Sequence, residues 1–161
     1  MTEDSANRPK ALVIGIGNEY RADDAFGPFV ARRLKELLPD SVNILEHHGE
    51  GVSLMDAWAG YSHVILIDAI QSGAEPGTTF RIDATLGKLS AQFFHYSSHE
   101  FGVAEAIEMA RVLGKLPVKM IVFGAEGSRF GLGEPMSDQV KAQVASIADS
   151  IVHEISLLHL S

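Results

Sequence analysis

Apolar and polar positions along this chain follow two periods. Ala11–Ile16, His63–Ile70 and Val118–Gly124 are nearly continuous apolar runs, the pattern of strands buried on both faces. Val42–Glu46 predicts a further strand, and Thr78–Asp83, β-branched but more polar, predicts one nearer a sheet edge. Between the strands the period changes to that of a helix. Asp24–Leu38 places Phe26, Val30, Leu34 and Leu37 on one face, tolerates Pro28 near its first turn, and is stopped by Pro39 and Asp40. Ser53–Trp58 reads as a short helix with Ser53 as N-cap. Ser98–Leu113, capped by Ser97 or Ser98, carries Val103, Ile107 and Ala110 on one side and ends at Gly114. Ser137–Leu158 is the clearest helix, with Val140, Val144, Ile147, Ile151, Ile155 and Leu158 in one stripe. Ala125–Met136, rich in glycine and containing Pro135, is expected to be a surface loop.

Strands alternating with helices predict a three-layer α/β/α sandwich around a mostly parallel sheet. The connection from Ile70 to Thr78 is shorter than the roughly dozen residues a parallel crossover needs, so the fourth strand is expected to run antiparallel. No repeat or linker divides residues 11–161, which are expected to form a single domain behind a flexible polar tail, residues 1–10. Ligands of such sheets lie beyond the carboxyl ends of the strands. Asn18–Asp24 and Asp68 fall at such ends, and the loop before His99 can reach the same edge.

Composition narrows the chemistry. The formal net charge of −8, without any basic stripe, argues against nucleic acid as a partner. The chain has no cysteine, which removes disulfides, thiol catalysis and Cys-ligated zinc and fits a reducing compartment. No apolar run approaches a membrane span, and Met1–Lys10 lacks the pattern of a signal peptide, so a cytoplasmic location is expected.

Gly15-Ile16-Gly17 begins a dinucleotide fingerprint, but Tyr20 stands where its third glycine belongs, and Asp23 and Asp24 follow where phosphate would bind. Phosphate chemistry is thus disfavoured. One of the two acids is expected to cap the following helix, which leaves the other for a cation or a proton. Asp68 ends the buried run Val64-Ile65-Leu66-Ile67, where a carboxylate must be paired, hydrogen-bonded or metal-bound; an Asx turn closing the strand is the ordinary alternative. His99 opens a helix, whose positive end favours the neutral imidazole a metal ligand needs, although a lone histidine is more often structural. His95 and His99 are four apart without the zincin pattern, and His47 and His48 follow the second strand beside Glu46 and Glu50. No nucleophile elbow or P-loop occurs. Asp24, Asp68 and His99 form the one combination that gathers three loops of a single sheet edge, and their oxygen and nitrogen donors suit a hard or borderline divalent ion.

Three segments in order, Gly15-Ile16-Gly17-Asn18 with Arg21-x-Asp23-Asp24-x-x-Gly27, then Ile67-Asp68-Ala69 with Pro76-Gly77, then Ser98-His99-Glu100-Phe101-Gly102, resemble the hydrogenase maturation endopeptidases over residues 11 to 158. The resemblance implies a five-stranded sheet of order 2-1-3-5-4 with strand 4 antiparallel. It also implies an endopeptidase that removes the C-terminal extension of a nickel–iron hydrogenase large-subunit precursor after nickel insertion. An acid, an acid and a histidine contact the metal in that family. They fall here on Asp24, Asp68 and His99, which are therefore the expected catalytic and metal-contacting residues, with nickel carried by the substrate and no organic cofactor. Asp24 replaces the more frequent Glu, and Glu46-His47-His48-Gly49-Glu50-Gly51 departs from the family's usual Asp and Gly-Gly-Thr loop, which bears on the identity of the partner hydrogenase. Asp23 is left as a cap or a second support of the site. A monomer is expected. A metal-dependent hydrolase of a small molecule and a non-catalytic chaperone that checks nickel loading are the competing readings.

Overall fold

The computed structural model describes residues 11–89, 91–94 and 100–158. The N-terminal tail, His95, the proposed caps Ser97 and Ser98, and His99 lie outside the described residues. Five strands, β1 (Ala11–Ile16), β2 (Val42–His47), β3 (His63–Ile70), β4 (Thr79–Asp83) and β5 (Lys119–Glu126), form one sheet. Its order is β2-β1-β3-β5-β4, with every pair parallel except β4 against β5, as the short connection and the family resemblance both led one to expect.

Inside each apolar run, successive side chains go to opposite faces. Leu12, Ile14, Val64, Leu66, Met120 and Val122 pack under helices α2 (Gly51–Trp58) and α3 (Val103–Val112), against Leu54, Trp58 and Ile107. Val13, Ile65, Ile67, Ile121 and Phe123 pack under α1 (Phe26–Leu37) and α5 (Gln143–Ser156), against Phe26, Val30, Leu34, Ile147 and Ile151. Among the described residues, no helix is long and apolar enough to cross a membrane.

Four boundaries differ from the sequence expectation, each for a local reason. The first helix starts at Phe26, because Ala22–Ala25 form a separate 3₁₀ turn. Helix α2 starts at Gly51 and is capped by Glu50, whose carboxylate accepts the amides of Val52 and Ser53 at 2.6 and 3.0 Å. Helix α3 is capped at Gly102, whose N–H donates to Glu105 at 2.9 Å. The last helix is broken at Ala142 into α4 (Asp138–Lys141) and α5.

The feature that places the functional edge is the seating of α1. A Cβ on Gly15 would collide with the carbonyl of Gly27 and the side chain of Ala31; one on Gly27 would collide with the backbone of Ile16 and Ile67. The first turn of α1 thus lies directly on the carboxyl ends of β1 and β3. Alanine in a helix is ordinarily more stable than glycine by about 1 kcal/mol. At Gly27 the sign reverses: Gly27→Ala is expected to cost about 2–4 kcal/mol in urea unfolding. Gly87→Ala, with no heavy atom within 4 Å of the added carbon, should stay within about 0.5 kcal/mol of the parent.

Candidate active site

The switch point of the sheet lies between β1 and β3. In the parallel register Gly15 stands opposite Ile67, so Asp68 is level with Ile16, the last residue of β1. The chain leaves β1 through Gly17, whose amide donates to the carbonyl of His47 at 2.9 Å and whose positive φ leaves no room for a side chain against Asp24. Asn18 then donates its amide to Asp24 Oδ2 at 2.8 Å. Ala22, at φ 51, is in the left-handed region that non-glycine residues rarely adopt. This turn sends two adjacent acids in different directions.

Asp23 goes inward. It is fully buried and accepts from Ser128 N at 2.8 Å, Arg129 N at 3.1 Å, Ser137 N at 2.7 Å and the hydroxyls of Ser128 and Ser137. Its own amide donates to Arg129 O at 3.0 Å. The expectation that one of the pair caps the following helix fails: neither the 3₁₀ turn nor α1 has a side-chain cap, and Asp23 instead fastens the 127–137 loop. Glu126 plays a similar part on the other side of β3, accepting Ser72 N and Gly73 N, both at 2.8 Å, and the Ser72 hydroxyl at 2.9 Å.

Asp24 and Asp68 are the acids left to the crevice. Burial raises the pKa of Asp24, against the opposing pull of the Asn18 amide, Arg21 and His48. Burial and then the charge of Asp24 push Asp68 well above the usual carboxylate range, opposed by the Ala69 amide. Among the described residues neither acid is in an ion pair. Asp23 and Glu126 have their charge met by several amides and hydroxyls, whereas Asp68 faces a second carboxylate. Two acids with raised proton affinity, one of them pushed up further by the charge of the other, can share a proton or jointly take a divalent cation.

The segment 46–51, the end of β2 and the loop after it, divides. Glu46 turns to the surface, bound to Arg32 through two hydrogen bonds of 3.1 and 2.8 Å, and this pairing lowers its pKa. Arg32 also holds Glu19 at 2.8 Å. His47 is engaged within its own loop, at 2.9 Å from both Gly49 N and Ser53 Oγ. Glu50 caps α2. His48, exposed, is the member of this loop whose charge reaches Asp24. The Gly51 amide donates to Phe101 O at 2.8 Å, which seats the segment just after His99 on this edge. Among the described residues there is no group of three or more potential metal ligands. The structure therefore brings Asp24 and Asp68 together, and the third predicted residue, His99, is outside the described residues.

A family model described as hydrogenase maturation protease matches residues 28–154. The hydrogenase 2 maturation protease of Escherichia coli is 32% identical over 119 residues, covering 71% of this chain and 71% of that protein. The hydrogenase expression/formation protein HupD of Bradyrhizobium diazoefficiens is 31% identical over 153 residues, covering 90% of this chain and 77% of its own length. Among solved structures, the [NiFe] hydrogenase maturation protease HycI of Thermococcus kodakarensis superposes with a TM-score of 0.69 at 29% identity, over 91% of this chain and 92% of the other. The maturating endopeptidase HybD of E. coli shares the fold, with a TM-score of 0.77 at 24% identity over 94% and 95% of the two chains.

Two outcomes follow from the contrast between the buried acids. Asp23→Ala strands the amides of Ser128, Arg129 and Ser137 and is expected to cost about 3–5 kcal/mol in chemical denaturation, Asp23→Asn less because it keeps one acceptor oxygen. Asp68 behaves oppositely. Its pKa is raised by folding, so between the unfolded value near 3.8 and the higher folded value the unfolded chain binds fewer protons, and stability falls as pH rises through that window. In EDTA, Asp68→Asn should melt at least about 2 °C above the parent at pH 7–8. The gap should close as the pH falls toward the ordinary carboxylate value of 3.8.

Proposed function

The chain belongs to the hydrogenase maturation protease family, and from that premise we propose that it is the endopeptidase that trims the C-terminal extension from a nickel–iron hydrogenase large-subunit precursor once nickel is in place. The observation that carries this reading is the pair Asp24 and Asp68: two carboxylates gathered at the switch point of the sheet, neither in an ion pair among the described residues, while the neighbouring acids Asp23 and Glu126 are spent on structure.

Nickel is the cargo of the substrate. Asp24, Asp68 and His99 contact it and thereby fix the precursor so that the scissile peptide lies over the edge of β1 and β3. The pair's raised proton affinity gives the recognition its direction. Two anions beside one another are unfavourable until a cation neutralises them, so a loaded precursor is held and an empty one is not. The short Asp24 side chain, tied by the Asn18 amide, brings the metal close to the crevice floor. A cation held there polarises the scissile carbonyl and assists attack by water. The C–N bond then breaks, the new carboxylate remains on the large subunit, and the amine leaves with the extension. The protein acts in the cytoplasm as a monomer.

Intact-mass analysis tests the reading. The purified protein should release a C-terminal peptide from a nickel-loaded precursor and leave a nickel-free one whole. Asp24→Asn, Asp68→Asn and His99→Ala should each lower processing by at least about 10²-fold while keeping the parent's circular dichroism, since the contacts removed serve the bound substrate rather than the fold. Cleavage at parental rates by all three variants would exclude these residues from the site. Binding of the loaded precursor without any change in its mass would mark a nickel-checking chaperone instead.

A further inference from the structure

The loops bordering the Asp24–Asp68 crevice carry an apolar lip. Tyr20 is 67% exposed and Leu132 is 69% exposed. The amide of Gly133, the residue after Leu132, donates to Tyr20 O at 2.8 Å, which brings the loop that carries Leu132 against the backbone of Tyr20 although they are far apart in sequence. Tyr20 lies two residues beyond Asn18, whose own amide holds the Asp24 carboxylate and whose Oδ1 accepts the Tyr20 amide at 2.9 Å. The lip is thus continuous with the crevice. The three most exposed apolar residues, Leu86, Val112 and Val118, lie at the opposite end of the sheet, beyond β4, α3 and the start of β5, whereas Val52 opens α2 on the crevice side.

The lip is also stiff. Asp23 fixes the far loop at both of its ends, through Ser128 and Arg129 and through Ser137. Phe130 and Met136 of that loop pack inward on the α1 face of the core, whereas Leu132 faces out. Arg32 ties down Glu19, next to Tyr20. A buried carboxylate and an ion pair hold in place a surface that contributes little to the core. Rigid apolar groups of this kind bind with little ordering cost, and exposed aromatic and aliphatic neighbours beside a catalytic crevice mark a contact for a partner chain.

We infer that Tyr20 and Leu132 are specificity-determining contacts that take apolar side chains of the precursor polypeptide next to the bond being cut. The inference rests on the protease reading for the identity of the polypeptide. Tyr20 and the Asp24 carboxylate share Asn18 as their anchor, so a chain that delivers a metal to Asp24 comes within reach of this lip. The contacts are the same in the ground and transition states, so they act on affinity rather than on turnover.

The test uses the full chain and a nickel-loaded large-subunit precursor. The double variant Tyr20→Ala/Leu132→Ala is compared with Leu86→Ala/Val112→Ala, which removes similar exposed apolar area at the far end. Both pairs are at the surface and should melt with the parent. Dissociation constants are read by biolayer interferometry, and KM and kcat by intact mass. The lip variant should bind about tenfold more weakly and raise KM about tenfold, with kcat within about twofold, and the far-end variant should match the parent. An unchanged Kd and KM in the lip variant, or equal weakening in the far-end control, overturns the inference and leaves the protease reading standing. Weaker binding by the lip variant with no cleavage by the parent upholds the lip and removes the protease reading. A parent that does not bind the precursor overturns both.

Discussion

The first turn of α1 rests on the bare backbone of β1 and β3, a contact that exists because residues 15 and 27 carry no side chain. From this approach the rest of the site follows. It pulls the loop after β1 tight enough to require a positive φ at Gly17 and Ala22. It holds the helix entrance over the crevice where the sheet order reverses, so the acids that precede the helix are delivered to that crevice instead of to solvent. The glycines of this loop look like a phosphate-binding fingerprint and serve another end. Their role is close packing of helix on strand, and the space a phosphate would need is filled by carboxylates.

Adjacent acids in sequence here have unrelated physical roles. Asp23 is among the best-satisfied groups in the described structure, its charge spread over amides and hydroxyls of a distant loop. Asp24 keeps one amide and part of its exposure, and faces Asp68. Burying a carboxylate is costly unless its hydrogen bonds are replaced. Nature of environment, not residue type, therefore separates a staple from a reactive group. Asp68 stores unfavourable electrostatics, from its burial and from the charge of Asp24 beside it, and the proposed recognition of a cation draws on that stored cost.

Much of this was legible in the chain. Continuous apolar runs against helical stripes gave the five strands and the helix order, since burial on two faces leaves no other pattern for β1, β3 and β5. A connection too short for a crossover gave the direction of β4. Asp68 stands out because it ends an apolar run at a carboxyl end, and Asp24 because, paired with Asp23, it opens the helix that follows such a run. What was not legible depends on contacts across the fold. The role of Asp23 rests on Ser128 and Ser137, more than a hundred positions away, and no local spacing encodes that. The capping expectation failed because the left-handed turn at Ala22 reorients both acids. Glu46 was grouped with the site by proximity in sequence, but Arg32 on the neighbouring helix draws it to the surface. Leu132 sat in an undifferentiated glycine-rich loop until the backbone bond from Gly133 to Tyr20 set it beside the crevice.

The central claim is that Asp24 and Asp68 touch the nickel of the substrate. The most direct measurement is X-ray absorption at the nickel K-edge on the complex of this protein with a nickel-loaded precursor, collected before cleavage and compared with the free precursor. The account predicts added oxygen or nitrogen scatterers in the first shell at about 2.0–2.1 Å on complex formation, and their loss when Asp24→Asn/Asp68→Asn replaces the parent. A nickel spectrum unchanged by complex formation would contradict it.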